Sequence, residues 1–476
     1  MFPNAQDALP LPLRPRLERY KKLAEDLIEA CKSNDPEAIG DWAEAWLKML
    51  VKQSRLKLGR KESRAIVRWT EQVEAFVRRE LSHKKFKLAD AQFVIARSHG
   101  FESWARFSRH LEQLSQKTSL VARFETAVDA ICDGDLKTLK RVLAAEPRLI
   151  RARSTREHKA TLLHYVSANG VEGYRQKTPK NIVEVAKVLL EAGADVNAEA
   201  DVYGGGSTTL GLVATSVHPF RAGVQNPLMQ ILLDHGAEID HETSAGNRQN
   251  AVLGCLANGR GPAAVYLADR GARLDLEGAA GVGRLDAVKT FFHPDGRLKR
   301  KTTRKQLQAA FKNACAWGRL NVVEFLLDKG VDLRRDKGDG QTPLHCAAIG
   351  GQLETVKFLL KQNVPLEVRN MYGGTVLGQT LWSAAHGGDP KVYAEIIEVL
   401  IAAGAKVPER HVPVNKPIDD LLRRYGSVPE PTWYWYGEKP RRTRRVDSHT
   451  AFPADFKHPH RWRLPLLIVS KQLGIS

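Results

Sequence analysis

Five segments of this sequence end in the same way, and this repetition limits the folds that the chain can adopt. An apolar stretch leads into a glycine in LLEAGADVN, LLDHGAEID, LADRGARLD, LLDKGVDL and LIAAGAKV, at Gly193, Gly236, Gly271, Gly330 and Gly404. Less regular equivalents lie at Pro147, Gly296 and Asn363. Units this short cannot bury both of their faces alone and must stack into an array. We therefore predict eight repeats between about Ser119 and Val407.

The segment 340–364, GQTPLHCAAIGGQLETVKFLLKQNV, is the most regular of these units. Thr342 can cap a first helix, Pro343 suits its first turn, and Leu359 belongs to the packing face of a second helix. The segment closely resembles the ankyrin repeat. The resemblance implies an all-α ankyrin-repeat solenoid of about eight helix-turn-helix repeats behind a helical N-terminal domain. It also implies that His164 and His345, at the T-P-L-H histidine position, bond the backbone of a turn.

Three of the predicted repeats are too long, and each surplus lies between the first and second helices. The surplus covers residues 171–180, 217–226 and 385–393, and the short loop 258–262 occupies the same place. Equivalent loops stack along one edge of a solenoid. We therefore expect the loops of the second, third and fourth repeats to be neighbours.

These neighbouring loops carry side chains suited to binding an anionic group. Arg and Lys fit carboxylates and phosphates, while Tyr and His add stacking and hydrogen bonds. The candidate partner- or ligand-binding residues are Tyr174, Arg175, Gln176, Lys177, His218, Arg221, Gln225, Asn258 and Arg260. The cationic members and His218 are expected to converge on an anionic partner. The alternatives are that each side chain points separately into water, or that it only orders its own loop.

Residues 1–115 are predicted to form a helical N-terminal domain with aromatic stripes in its core. Within it, the segment 88–114 predicts two helices around Gly100, with Ser103 capping the second. This outline is similar to a helix-turn-helix, which would place Arg106, Arg109 and His110 near a DNA groove. Any helical hairpin with a glycine turn has the same outline. The L-A-D-A-Q and G-F-x-S-W segments also resemble those of bacterial ankyrin-repeat proteins, which implies an intracellular interaction protein.

The repeat pattern stops after Val407. Residues 408–426 predict a closing helix, because a solenoid must cover its last apolar face. Residues 427–476 contain the segments WYWYG and PRRTRR and show no repeating pattern, which predicts an irregular or mobile tail. Basic and aromatic groups together can bind single-stranded nucleic acid, or the aromatic rings can fold back onto the solenoid.

Charge and cysteine content narrow the class of protein further. The formal net charge is +19, which favours a nucleic acid or an acidic protein as partner, or serves solubility alone. Five widely spaced cysteines form no C-x-x-C pair, which fits a reducing cytoplasm. Prolines near the N-terminus argue against export, and the apolar run 464–469 is too short to span a bilayer.

No common catalytic motif is present, so we expect no cofactor, no metal and no enzymatic activity. The glycine-rich segment 204–211 lacks the P-loop spacing and is interpreted as a turn followed by a helix cap. The favoured hypothesis is an interaction scaffold that binds a protein partner. One alternative is a nucleic-acid-associated factor that uses the N-terminus and the tail. The other is a small anionic ligand binder or enzyme that uses the inserted loops.

Overall fold

The computed structural model describes residues 4–33, 35–54, 62–81, 86–246, 250–334 and 340–429. These residues are mostly helical, and the strands among them are two residues long. The chain forms two compact units, Met1–Gln249 and Asn250–Ser476, called the first and second unit below.

The N-terminal part of the first unit is a group of helices around an aromatic core. The helices are α1 (Leu17–Lys32), α2 (Ala38–Gln53), α3 (Glu62–Leu81), α4 (Leu88–Ser98) and α5 (Trp104–Ser115). Trp42 and Trp46 of α2 and Trp69 of α3 are buried, as their helical spacing predicts. Burying such rings removes a large apolar area from water, which is the main stabilising effect in a core of this kind.

The hairpin of α4 and α5 forms as the sequence predicts. Gly100 has a φ of 82°, a left-handed conformation that glycine adopts without steric cost. The hydroxyl of Ser103 accepts a hydrogen bond from the backbone N–H of Arg106 at 3.4 Å and so caps α5. His110 is buried and lies 2.7 Å from the hydroxyl of Thr155 through its Nδ1. The expectation that His110 faces a DNA groove is therefore wrong, because its ring packs inside the protein.

The rest of the first unit consists of helix pairs and short 3₁₀ turns. Its elements are α6 (Leu120–Asp133), α7 (Leu136–Ala145), 3₁₀ turns Pro147–Arg151, Leu162–Ser167 and Gly173–Arg175, α8 (Ile182–Glu191), β1 (Glu199–Ala200), β2 (Ser207–Thr208), α9 (Thr209–Thr215), α10 (Val217–Arg221) and α11 (Gln225–Asp234). β1 and β2 pair antiparallel around the glycine-rich segment. Thr208 caps α9 by accepting from the N–H of Gly211 at 3.3 Å, which confirms the interpretation of this segment.

The second unit continues with regular helix pairs. Its elements are α12 (Ala251–Ala257), α13 (Gly261–Ala268), α14 (Leu276–Val282), α15 (Leu285–Lys289), α16 (Arg304–Ala316), α17 (Leu320–Leu327), α18 (Pro343–Ile349), α19 (Leu353–Leu360), α20 (Val376–Ala385), α21 (Pro390–Ala402), β3 (Arg410–His411), α22 (Lys416–Arg424) and β4 (Val428–Pro429). The first helices α14, α16, α18 and α20 pack on one another in sequence. Only four residues separate Gly271 from α14, which leaves no room for a projecting turn between them.

The recurring glycines end the second helices in the way that the repetition predicts. Gly193 and Gly404 have φ values of 88° and 100°, which an L side chain rarely adopts. The following N–H groups reach back along the helix, from Ala194 to the carbonyl of Leu189 and from Ala405 to that of Leu400, both at 3.0 Å. These bonds satisfy carbonyls that the helix end leaves unpaired.

A closing helix follows the last pair. Helix α22 packs on α21 and buries Ile418, Leu421 and Leu422, while its opposite side carries charged residues. Residues 430–476, which hold most of the predicted tail, lie outside the described residues. The division into domains 1–115, 119–407, 408–426 and 427–476 stays a prediction.

Candidate functional site

The predicted binding loop of the second repeat leads into a cluster of buried charges. Arg175 ends the 3₁₀ turn Gly173–Arg175 and is 7% exposed. Its Nη2 lies 2.8 Å from Oε2 of Glu125 and 2.8 Å from Oδ1 of Asp129, and its Nη1 lies 3.2 Å from Oε1 of Glu172. The expectation that Arg175 lies on an open loop is therefore wrong, because three carboxylates surround its guanidinium.

A second arginine completes this cluster, which we call the buried charge network: Glu125, Arg156, Glu172 and Arg175. The Nη1 of Arg156 lies 2.7 Å from Oε1 of Glu125, and its Nε lies 3.0 Å from Oε1 of Glu172. Both glutamates therefore contact both arginines. Two negative and two positive charges balance, which is the arrangement that makes buried charges tolerable.

The carboxylates of the network stay ionised despite their burial. Burial alone would raise the pKa of Glu125, but Arg156 and Arg175 lower it to about 2. The same two arginines overcome the burial of Glu172 and hold its pKa well below the ordinary range. His110 differs, because burial lowers its pKa to about 4 even though Glu125 acts in the opposite direction. The network is therefore charged at neutral pH and the neighbouring histidine is neutral.

Short-range geometry explains why these residues meet. Glu125 and Asp129 are four residues apart on α6, so their side chains lie on the same face of that helix. Glu172 and Arg175 flank one 3₁₀ turn, where the N–H of Arg175 donates to the carbonyl of Glu172 at 2.8 Å. The network thus fixes the inserted segment of the second repeat against α6 and serves a structural purpose.

The two histidines at the T-P-L-H position have matching surroundings in the two units. The N–H of Thr161 donates to Nδ1 of His164 at 3.1 Å, and that of Thr342 donates to Nδ1 of His345 at 3.3 Å. Each Nε2 then donates across to the following turn, to the carbonyl of Ser207 at 3.2 Å or of Gly374 at 3.3 Å. Both histidines brace turns, as predicted, and neither is placed as a catalytic base.

One turn of the second unit displays an apolar side chain from a rigid backbone. Asn370 is buried, and its Oδ1 accepts from the N–H groups of Tyr372 and Gly374, both at 3.0 Å. Its own N–H donates to the carbonyl of Gly374 at 3.0 Å. At the tip of this turn Met371 is 62% exposed. A fixed backbone with an exposed apolar tip can contact another molecule at little cost in ordering entropy.

Comparison with protein-family models matches residues 276–370 and, in an overlapping second match, residues 311–410 to ankyrin repeats (3 copies). The matched residues contain the helix pairs from α14 to α21 and the turn of Met371. Residues 276–410 of this chain therefore contain ankyrin repeats. Three copies are matched, and the total of eight repeats stays a prediction. Ankyrin repeats are generally protein-interaction modules.

The other candidate residues of the loop that holds Arg175 each have different surroundings. The ring of Tyr174 lies beneath the guanidinium of Arg175, whose Cζ is 5.5 Å from the ring centroid. The Nε2 of Gln176 donates to the carbonyl of Val171 at 2.8 Å and so orders its own segment. Lys177 is exposed, and its Nζ lies 3.6 Å from Oδ1 of Asp133. Lys177 thus faces solvent, as does Lys180 at the end of the same loop.

The candidates of the predicted third repeat lie on helices and not on an open loop. His218 and Arg221 belong to α10, where Arg221 is exposed and His218 is half-buried. Gln225 begins α11 and is buried, and its Nε2 donates to the carbonyls of Val213 and Ala214 at 2.9 and 3.0 Å. Gln225 therefore closes the end of α9, and its expected contact with a partner is wrong because its amide is enclosed.

Asn258 and Arg260 belong to the second unit. The Nδ2 of Asn258 donates to the carbonyl of Gly254 at 2.8 Å. Arg260 is buried, and its Nη1 donates to the carbonyl of Gly259 at 3.2 Å. The expectation that Arg260 is an accessible cation is wrong. The convergence of these two residues with those of the first unit stays a prediction.

Sequence reasoning missed the buried charge network. A signal was present on α6, where Glu125 and Asp129 share a face of a helix that is otherwise mainly apolar. Carboxylates at that spacing on a helix with buried neighbours indicate a cationic partner elsewhere in the chain. The identity of that partner could not be read, because Arg156 lies 31 residues away in irregular structure.

The described parts of the chain show neither a metal-binding group of residues nor a membrane-spanning helix. There, no group of three or more His, Cys, Asp or Glu residues is arranged to hold a metal ion. In the same ranges, the helices are too short or too polar to cross a membrane.

Proposed function

We propose that this protein is a non-enzymatic, cytoplasmic interaction scaffold that binds a protein partner through its projecting turns. The proposal is supported by the ankyrin repeats of the second unit, a fold whose rigid stacked helices suit recognition. The observation that carries it is the Asn370-braced turn that presents Met371 to solvent.

The turn has the properties of a binding hot spot. Its backbone is held by three hydrogen bonds through Asn370, so it loses little freedom when a partner binds. Methionine is flexible and polarisable, and it fills apolar pockets of many shapes. Residues of this kind at the centre of an interface contribute most of its affinity.

A turn of the first unit repeats this design and supports the same function. Tyr203 is exposed between the two strands β1 and β2, and its hydroxyl lies 2.7 Å from Oδ1 of Asn169. The N–H of Gly205 donates to the carbonyl of Val202 at 3.0 Å and closes the turn. Tyrosine is enriched at protein interfaces because it combines a large apolar ring with a polar end. We include the exposed cations Lys177 and Arg221 in the proposed binding surface.

The test starts from affinity capture of the full chain in cells of its source organism, followed by mass spectrometry and purification of the captured protein. Isothermal titration calorimetry then compares the unmodified chain with Met371→Ala. We expect the variant to weaken binding about tenfold, because truncation of an interface anchor costs more than about 1 kcal/mol. The fold should be unchanged, since the side chain is exposed.

The matched control is Val67→Ala, which truncates an equally exposed apolar side chain on α3. Its affinity for the captured protein should equal that of the unmodified chain. Equal affinities for the Met371 and Val67 variants would show that the turn is not the binding site. Failure to capture any protein that binds the purified chain directly would contradict the scaffold function itself.

A further inference from the structure

The second unit carries a surface on which positive charge is concentrated. Between residues 287 and 323 the sequence has nine Lys and Arg residues and one acidic residue, Asp295. Six of the nine fall within residues 297–305, RLKRKTTRK. Eight cationic residues in and near this segment form what we call the cationic surface: Lys289, Arg297, Lys299, Arg300, Lys301, Arg304, Lys305 and Lys329. All of these side chains are exposed except Lys329, which is half-buried.

Two of these cations lie at one aromatic ring, and a third bonds the backbone of one of them. The Nζ of Lys329, after α17, lies 4.8 Å from the ring centroid of Phe325, and that of Lys289, on α15, lies 5.8 Å from it. The Nη1 of Arg304, at the start of α16, donates to the backbone carbonyl of Lys329 at 2.8 Å. Cation–π contacts therefore hold two charges at this ring and a hydrogen bond holds the third.

The remaining cations lie on the segment that leads into α16. Arg297 pairs with Asp295, at 2.7 Å between Nε and Oδ2. Within the described residues, no carboxylate lies at ion-pair distance from Lys299, Arg300 or Lys301. The backbone of the segment is ordered, with the N–H of Thr302 donating to the carbonyl of Lys299 at 2.9 Å. Positive charge of Lys299, Arg300 and Lys301 is thus displayed from an ordered backbone, and no carboxylate among the described residues pairs with it.

Stability alone does not favour this arrangement. The first turn of a helix carries partial positive charge from the backbone dipoles and favours Asp or Glu. Helix α16 begins with Arg304 and Lys305 instead. Like charges at such separations repel, and salt only partly screens them. An acidic partner would remove the repulsion, and the positive field would speed its approach.

The two terminal sections of this sequence do not supply an acidic occupant for the cationic surface. The tail 427–476 carries nine basic and four acidic residues, and residues 1–115 carry 22 basic and 16 acidic residues, so neither section can neutralise the surface. Phe292 is buried and Phe325 is half-buried beneath lysines, so neither of these two rings presents an open face for a nucleic-acid base to stack on. We infer that the cationic surface binds an acidic segment of a protein partner. This inference rests on the proposed function.

The experiment measures binding of a fluorescein-labelled oligoglutamate peptide to the full chain by fluorescence anisotropy. The test variant is Lys299→Ala/Arg300→Ala/Lys301→Ala. The matched control, Lys137→Ala/Lys140→Ala/Arg141→Ala, removes the same charge from exposed positions on α7 of the first unit. We expect the test variant to weaken peptide binding about tenfold and the control less than about twofold, since close charge pairs add more affinity than distant screened ones.

Salt and competing probes sharpen the result. Raising salt from about 0.15 M to about 1 M shortens the Debye length from about 8 Å to about 3 Å and should weaken peptide binding to the unmodified chain. Equal losses in the two triple variants would overturn the inference, because only net charge would then matter. Tighter binding of a DNA duplex or single strand of equal net charge, lost in the test variant, would also overturn it in favour of nucleic acid.

The two proposals fail in distinguishable ways. Met371→Ala should leave oligoglutamate binding unchanged, because the probe reports only on the cationic surface. Indistinguishable triple variants would remove the acidic-segment inference while leaving the effect of Met371 on the captured partner intact. Equal partner affinities for the Met371 and Val67 variants would count against the projecting turns and would not alter the anisotropy result.

Discussion

The second predicted repeat and the seventh show two ways of stabilising the same kind of unit. In the seventh, Leu344, Ala347, Val356 and Leu359 fill the space between helices with apolar atoms. In the second, the same cap and histidine are present, yet the segment between its helices is fixed by the buried charge network. Charged contacts thus hold the longer segment of the second predicted repeat, whereas both repeats share the threonine and the histidine that begin the first helix.

The comparison teaches that the two kinds of interaction should respond differently to change. An apolar contact loses free energy in proportion to the atoms and area removed. A buried ion cluster gives little net stabilisation while complete, because desolvation offsets attraction. Removal of one member leaves an uncompensated charge in a poorly solvated site. The second predicted repeat should therefore lose more stability than the seventh when one of its stabilising side chains is removed.

The largest effect is expected from Arg175→Ala. Loss of this guanidinium leaves Arg156 as the one arginine that contacts Glu125 and Glu172, and a broken buried ion pair costs about 3–5 kcal/mol. Urea denaturation of the full chain, followed by circular dichroism, measures the change. The matched control is Arg221→Ala, an exposed arginine of the same unit, with an expected change within about 0.5 kcal/mol. Similar midpoints for both variants would show that the network does not stabilise the first unit.

Truncation of one buried leucine in each unit tests whether apolar packing stabilises the two units to the same extent. Leu189 of α8 and Leu359 of α19 are both fully buried, as the repeat register predicts. We expect Leu189→Ala and Leu359→Ala each to lower the free energy of unfolding by about 2–5 kcal/mol. Denaturation curves of the two single variants give the comparison. A negligible change in Leu359→Ala alone would mean that the regular repeats of the second unit tolerate cavities that the first unit does not.

The smallest expected effect is a difference in acid sensitivity. Burial lowers the pKa of His99 to about 3 and that of His110 to about 4, so both bind protons more readily when unfolded. Stability should then fall by about 1 kcal/mol for each histidine as the pH drops from about 6.5 to about 5.5. Glu125, whose pKa is held at about 2 in the folded chain, adds a further loss below about pH 4.5.

Hydrogen exchange measured by mass spectrometry shows which helices lose stability as the pH falls. Peptides from α5 and α6 should lose protection over that pH window more steeply than peptides from α18 and α19. The control His110→Gln keeps a polar side chain that does not titrate, and it should flatten the pH dependence of the first unit. A parallel decline in both regions, unaltered by this substitution, would refute the assignment of acid sensitivity to the buried histidine.

Much of the frame could be predicted because its signals are local. The glycine that ends a helix, the threonine that caps one and the apolar face of Leu359 each act within a few residues, so the sequence shows them directly. The family match to residues 276–410 agrees with that prediction. The candidate site could not be predicted in this way. Arg175, Gln225 and Arg260 have the sequence pattern of surface groups, yet they are buried.

The sequence by itself determined the repeat, its helix ends, the bracing roles of His164 and His345, and the concentration of basic residues at 297–305. Only the tertiary structure decided which charges are enclosed and which face water. The physical reason is that an arginine has the same local pattern in either place. Its surroundings depend on residues such as Glu125 and Arg156 that are distant in sequence. Lys299, Arg300 and Lys301 stay exposed because no described carboxylate meets them, whereas Arg175 is held by three.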